Sequence, residues 1–409
     1  MESNVEKVKP KSPIFINRNF LLVWIGQTIS VIGDNLFSIA LMWWVLEKTG
    51  STALMATVAI CATLPAVIVG PFAGTYVDRV DKRKLLVFMD LGRAFLLFIP
   101  AILFFYGKLE VWHVNIVAIF LSTMTTFFNP ALNSFTPSIV EGNSLTRANS
   151  LTQFSRNLSG VLGPALAGIL MALFGTGWVM LLDGISFFIS GIAIFFVKIA
   201  KVEISESKVR QHFFADLWDG LVYLKKQTII FFTMVLFSLI NFFIAPIGIL
   251  MPVIVKEVLK MGAEGFGFLA SAISISMVLG TVLLGLKGEV KRKGWVVILS
   301  IIFGGLTLAL FGVSEKFWLS MILLGMAGLA FSLVNVLEMV IFQKEIPLDK
   351  QGRIFGILNT VAWGLRPVSL GLVGVISVWL DARLIILFGG ILVALGGLGG
   401  LLVKGMREL

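Results

Sequence analysis

The chain has 409 residues, 57% of them hydrophobic and 14% charged, against roughly 45–50% and 25% in an average soluble domain, which excludes a water-soluble fold. The same excess excludes intrinsic disorder, and a single cysteine, Cys61, excludes a disulfide framework. The net charge of +10 must be read by position, because the apolar residues form unbroken runs instead of the alternating segments of an outer-membrane barrel.

A polar segment, 1–19, comes first and lies in the cytoplasm. The run after it is too long for a signal-peptide core and has no small-residue cleavage site, so it reads as an uncleaved first span. A helix needs about 20 residues to cross the hydrocarbon core. Twelve segments qualify, at 20–46, 54–77, 85–106, 112–133, 150–174, 178–197, 228–255, 264–286, 295–313, 317–342, 354–380 and 382–404. The face that carries both termini holds 24 of the 33 basic residues and the opposite face holds six, which puts both termini in the cytoplasm. The basic excess is therefore a topology signal with anionic-lipid contact, and no nucleic-acid partner is expected.

The chain repeats itself. Ala40-Leu-Met-Trp43 returns as Ile249-Leu-Met-Pro252, Lys82-Arg-Lys84 as Lys291-Arg-Lys293, and the Arg147 loop as the Arg353 loop. Residues 20–197 and 228–404 are thus parallel six-helix bundles. Between them, 198–227 forms a cytoplasmic linker. Phe213, Phe214, Leu217, Trp218, Leu221, Val222 and Leu224 recur there at helical spacing, as in an amphipathic helix on the membrane surface. Residues 405–409 are a short cytoplasmic tail.

The loop Gly74-Thr-Tyr-Val-Asp78-Arg79-Val-Asp81-Lys82-Arg83-Lys84 joins the second and third spans. It resembles the signature loop of the major facilitator superfamily. The fifth span carries Gly160-Val-Leu-Gly163-Pro164-Ala-Leu-Ala-Gly168, similar to that family's antiporter motif. Trp24-Ile-Gly-Gln27, Glu47-Lys-Thr-Gly50-Ser51 and Pro130-Ala-Leu-Asn133-Ser-Phe-Thr-Pro137 resemble the macrolide-efflux branch. The likeness runs along nearly the whole chain and is clearest in the first half. It implies an all-α membrane fold of two pseudo-symmetric bundles. It also implies a cytoplasmic gate built from Gly74, Asp78, Arg79, Arg83, Asp90, Arg93, Arg147 and Arg353, and a bending or sealing role for Gly160, Gly163, Pro164 and Gly168. Two departures stand out. The stretch Phe120–Met124 has no basic residue where the family often places one in the fourth span, and the second copy of the loop, Gly285–Lys293, lacks the aspartate.

An acid at mid-bilayer costs roughly 2.5–3.5 kcal/mol on insertion scales, so it is kept for a purpose. Asp34 lies fourteen residues into its span and reads as a proton or cation site. Glu338, near Asn335, is the second candidate. Arg366, just before Pro367, is the third deep charge, with Glu338 or Asp34 as its expected counter-ion. Asp183 reads as a structural acid nearer the outer surface. Asp90 and Arg93, three residues apart near the cytoplasmic end of their helix, form either an intrahelical pair or part of the gate. Gln27, Asn35, Trp43, Asn129, Asn133, Gln153, Asn157, Asn241, Asn335, Asn359 and Trp363 are the expected cavity lining. Such a mix of apolar wall and few polar points suits an amphiphile.

Catalysis finds no footing. With two histidines, His113 and His212, and one cysteine there is no metal cluster, and no phosphate-binding glycine loop occurs. No cofactor is expected. The reading is a monomeric inner-membrane exporter of a small hydrophobic or amphiphilic compound, of macrolide type, coupled to protons by alternating access. The alternatives are export of a lysophospholipid-like lipid or siderophore-type metabolite and, remotely, a membrane-embedded enzyme.

Overall fold

Asn17 opens the first helix by accepting the Phe20 N–H on its side-chain oxygen at 2.7 Å. From there α1 runs Arg18–Thr49 and stops at Gly50, whose φ of 63° lets its N–H close onto the Leu46 carbonyl. A side chain at that φ is strained, so Gly50→Ala is expected to cost about 1–2 kcal/mol. The midpoint of thermal unfolding in detergent reads this, and an unshifted midpoint argues against a cap at Gly50.

The computed structural model describes residues 16–77, 79–141, 144–198, 228–287, 290–346 and 364–401. After α1 come α2 (Thr52–Val77), α3 (Lys82–Phe105), α4 (Val111–Ile139), α5 (Leu145–Phe174) and α6 (Thr176–Phe195). Then α7 comes in two pieces, Thr228–Ile244 and Ile247–Val253, the second running into one π turn at Ile254–Val258. The series ends with α8 (Ala263–Lys287), α9 (Lys293–Val313), α10 (Phe317–Glu345), α11 (Gly364–Ile376) and α12 (Ala382–Gly400). Eleven spans among the described residues are long and apolar enough to cross a membrane, and α11 is the described part of the expected 354–380 span. No strand occurs among the described residues.

Two differences from the expected spans have a common cause. Helix α4 continues past 133 with Pro130 and Pro137 inside it, whereas α7 breaks at Ala245–Pro246. Proline removes one backbone bond in either case, and neighbouring groups decide whether the helix survives the loss. Helix α4 runs through both prolines, which leave the Thr126 and Asn133 carbonyls without their N–H partners, and the Ser134 hydroxyl adds a bond to the Pro130 carbonyl at 2.9 Å beside them. At the α7 break, Ser369 of α11 donates to the Phe242 carbonyl and holds the opened turn in place.

The packing repeats with a period of six helices. In the first half α1 packs on α5 and α6, α2 on α4, and α3 on α4 and α6. In the second α7 packs on α12, α8 on α10, and α9 on α10 and α12. The halves meet mainly where α5 crosses α8, and again where α2 lies against α11. Both crossings use missing side chains. A Cβ on Gly267 of α8 would lie 2.4 Å from the Pro164 carbonyl oxygen, and one on Gly374 of α11 would lie 2.7 Å from Ala56 Cβ. Small residues bring backbones together where no apolar solvent force drives helix association.

The apolar cores divide unequally along the helices. We name the ends of the bundle by α1, near where it begins and far where it ends. One far-end cluster joins Leu36, Trp43 and Leu46 of α1 and Met171 of α5 to Leu250 and Ile254 of α7 and Phe266 and Leu269 of α8. At the near end there are two clusters. One is built from the first half alone, around Phe20, Leu86 and Phe135, and the other from the second half alone, around Ile240, Val297 and Ile341. Among the described residues, apolar clusters join the halves at the far end and stay within each half at the near end.

Candidate functional site

Helix α1 shows Gly26 and Gly33, two turns apart, to α6. A Cβ on Gly26 would lie 3.1 Å from Ser190 Cα, and one on Gly33 would lie 2.3 Å from Asp183 Oδ1. These two notches admit a polar stripe, Asp183, Ser186 and Ser190, at helical spacing along an otherwise apolar helix. From α3, Asp90 and Arg93 complete the arrangement.

The result is a buried network. Asp90 is fully buried and pairs with Arg93, while its Oδ2 accepts from the Ser190 hydroxyl at 2.7 Å and from Gln27 Nε2 at 3.2 Å. Gln27 also donates to Ser190 at 2.7 Å. The Arg93 guanidinium lies between two rings, 4.1 Å from the centroid of Phe128 and 4.3 Å from that of Phe187. Each ring face favours the cation, and the pair shields it from exchange with a new partner. Asp34 lies within electrostatic range of Arg93 and Asp90, as Asp183 does of Asp34 and Arg93. Three acids therefore share one base.

The second half holds a cavity of about 460 Å³ at the break in α7. Its wall is apolar, with Ile244, Met251, Ile273, Leu324 and Phe331 among its members, and its polar points are Asn241, Asn335 and Arg366. A smaller space of about 260 Å³ in the first half is lined by Gln27, Asn133 and Arg156, with Trp24 and Thr28 beside them.

The expected site residues sort as follows. Asp34 faces open space inside the helices that surround it and makes no hydrogen bond among the described residues. Glu338 is buried at 3% exposure with Oε1 unpartnered, off the cavity wall. Among the described residues no ion pair joins Arg366 to Glu338 or Asp34, which corrects the expected counter-ion, because Arg366 turns into the α7 cavity instead. Asp90 and Arg93 lie in the middle of α3 and form the intrahelical pair, away from the exposed Arg79. A count that begins at 85 places them near the cytoplasmic end, whereas the helix begins at Lys82. Arg83 donates to the Phe195 carbonyl at the end of α6 and so ties two helices of one half together. Arg147 is half-buried, and Gly74 has open space around it. Asp78, Arg353, Asn359 and Trp363, like most of the linker, lie outside the described residues.

The fifth-span motif divides between two neighbours and open space. Gly160 is open, Gly163 backs onto Asn35, where a Cβ on the glycine would lie 2.5 Å from Asn35 Cβ, and Pro164 and Gly168 meet α8. Asn35 therefore serves helix packing, its Nδ2 donating to the Val31 carbonyl at 2.8 Å. Trp43 is no cavity wall either. It is 4% exposed and stacks on Phe266 across the far-end seal, ring centroids 6.4 Å apart. Gln153 and Asn157 bond each other at 3.0 Å and are exposed on the same face of α5 that meets α8 further along, so they border the near end. Asn129 is exposed on α4.

Asp183 is the acid that sequence reasoning misplaces. It is 1% exposed and level with Gly33, not near a surface. Two signals mark it, the stripe of Asp183, Ser186 and Ser190 and the matching pair Gly26 and Gly33 on α1.

An apolar cavity at a helix break, enclosed by one of two repeated bundles, defines a membrane transporter. The chain belongs to the Major Facilitator Superfamily, whose family model matches residues 23–368, and so to a family of transporters and not of enzymes. It is 26% identical over 353 residues to macrolide efflux protein A of Streptococcus pyogenes, covering 86% of this chain and 87% of that one. It is 25% identical over 348 residues to the enterobactin exporter EntS of Shigella boydii, covering 83% and 80%. Among solved structures, a mutant of the nucleoside transporter NupG superposes with a TM-score of 0.75 at 13% identity, covering 94% of this chain and 99% of that one, and shares the fold.

Proposed function

We propose that this transporter exports small hydrophobic or amphiphilic compounds, macrolide-type antibiotics among them, across the cytoplasmic membrane in exchange for protons. The reading is carried by a separation of tasks. The second half holds an apolar cavity with three polar points, and the first half holds three acids around one base. A wide apolar wall accepts an amphiphile by shape, and a surplus of buried acids binds and releases a proton.

The bias of basic residues supports a cytoplasmic near end, and in that orientation the arrangement of the described residues suits an inward-facing state that loads substrate. Sealing the near end and opening the far end then releases it outside. In this scheme the exposed Arg79 and the loop around it, Gly74 to Lys84, form the inner gate. Inward proton movement supplies about 2.3 kcal/mol per charge for each 100 mV of membrane potential. Likeness to a macrolide efflux protein supports both the direction and the substrate class.

Efflux of erythromycin from loaded proteoliposomes tests this directly. Imposing an inward proton gradient is expected to accelerate efflux and an uncoupler to abolish the acceleration; efflux indifferent to both overturns the proton-driven reading. A second reading has its own support. Arg366 puts a cation among the polar points of the apolar cavity, which favours an acidic amphiphile such as a siderophore-type metabolite or a lysophospholipid-like lipid. Likeness to an enterobactin exporter agrees with it. Competition for binding between erythromycin and a lysophospholipid separates the two.

A further inference from the structure

Asp183 is held without a counter-charge of its own. Its Oδ1 accepts from the Ser186 hydroxyl at 3.2 Å, and its Oδ2 has no hydrogen-bond partner. The charged groups that face it are Asp34 from α1 and Arg93 from α3, and Asp90 of α3 in turn faces Asp34. Arg93 is already paired with Asp90 and held between Phe128 and Phe187. On α5, Arg156 opens onto the small first-half space. The backbone of Gly33 closes the remaining side, leaving no room for even a methyl group, since its Cβ would lie 2.6 Å from Ser186 Oγ.

A carboxylate is an acceptor only, and burying one unpaired is costly. With a proton it becomes neutral and gains a donor. Asp34, the residue after Gly33, is exposed to interior space and lies within electrostatic range of Asp183. The two acids share one level of the bundle, one packed against backbone and one beside interior space.

We propose that Asp183 is a proton-carrying acid of this transporter, keeping its proton while packed against Gly33 and passing it to Asp34 when the halves move. In that step the O–H bond of Asp183 breaks, an O–H bond forms on Asp34, and the negative charge moves to Asp183. Ser186, donating to Oδ1, steadies the carboxylate so formed. The inference rests on the proton-driven reading above and assigns the acid that reading leaves open.

Infrared spectroscopy of the purified protein in lipid vesicles at neutral pH needs no substrate. The difference between wild type and Asp183→Asn is expected to contain the carbonyl band of one protonated carboxylic acid; absence of that band overturns the proposal. Gly33→Ala keeps both acids but forces the carboxyl aside, and the band should move; an unmoved band overturns the packing account. In vesicles with a proton gradient, Asp183→Asn should lower uphill erythromycin accumulation by roughly tenfold or more. Uphill accumulation at the wild-type level overturns the proposal. Wild-type vesicles that ignore the gradient sink the proton-driven reading alone, since the infrared band still reports on Asp183.

Discussion

Arg93→Met is expected to destabilise the protein by about 3–5 kcal/mol, the cost of leaving a buried carboxylate without its partner. Asp90 is fully buried and Arg93 only 3% exposed, so water cannot replace the lost charge. The hydroxyl of Ser190 and the amide of Gln27 remain as donors to Asp90 Oδ2, but neither carries a charge. The loss reaches further than one pair, because the same guanidinium fills the gap between Phe128 and Phe187. Methionine retains part of that volume and none of the attraction to the rings. Adding Asp90→Asn to Arg93→Met removes the unpaired charge and should restore most of the stability. Unfolding in detergent, followed by tryptophan fluorescence, measures both. If the double variant is as unstable as the single one, the damage comes from lost packing and the ion pair is not its cause.

The second large effect lies at the crossing of α5 and α8. Gly267→Leu puts a side chain where a Cβ alone would stand 2.4 Å from the Pro164 carbonyl and 3.1 Å from Gly168 Cα. Both neighbours are backbone and cannot rotate away. Overpacking of this kind costs about 1–3 kcal/mol. Here the strain has an outlet, since the halves can part at the far end. A shift of about 1.4 kcal/mol changes the conformational ratio tenfold. Trp43, sealed against Phe266, reports that opening once Cys61 is removed and Trp43 replaced by cysteine. A membrane-impermeant maleimide added outside should label this site about tenfold faster when Gly267→Leu is present. Equal labelling rates would show that the crossing does not govern the far-end seal.

Much of this architecture is legible in the residues, and the reasons are specific. Long apolar runs locate the helices because spanning sets a minimum length. The repeat of Ala40–Trp43 at Ile249–Pro252 is meaningful, since both segments contribute to the far-end apolar cluster. Proline is the weak point. The same residue type leaves α4 unbroken and opens α7, where Ser369 of a distant stretch of chain takes the Phe242 carbonyl that Pro246 frees. Depth is the second. Counting along its own helix places Asp183 near a surface, but its neighbour Gly33 lies on a different helix, and that contact has no trace in a one-dimensional count. Arg366 shows the limit of charge arithmetic, because an intramembrane cation is expected to seek Glu338 or Asp34 and instead lines an apolar cavity.

The unequal division of the apolar cores has a thermal consequence. The far-end seal is made by Trp43, Phe266, Leu250 and their neighbours, side chains that meet water only when that end opens. Opening therefore carries a positive heat capacity, and the seal loses strength on cooling as other apolar contacts do. In the alternation proposed above, the balance between the two orientations is curved in temperature to the extent that opening the far end exposes more apolar surface than sealing the near end buries, and cooling then weakens the sealed state with no substrate or proton involved.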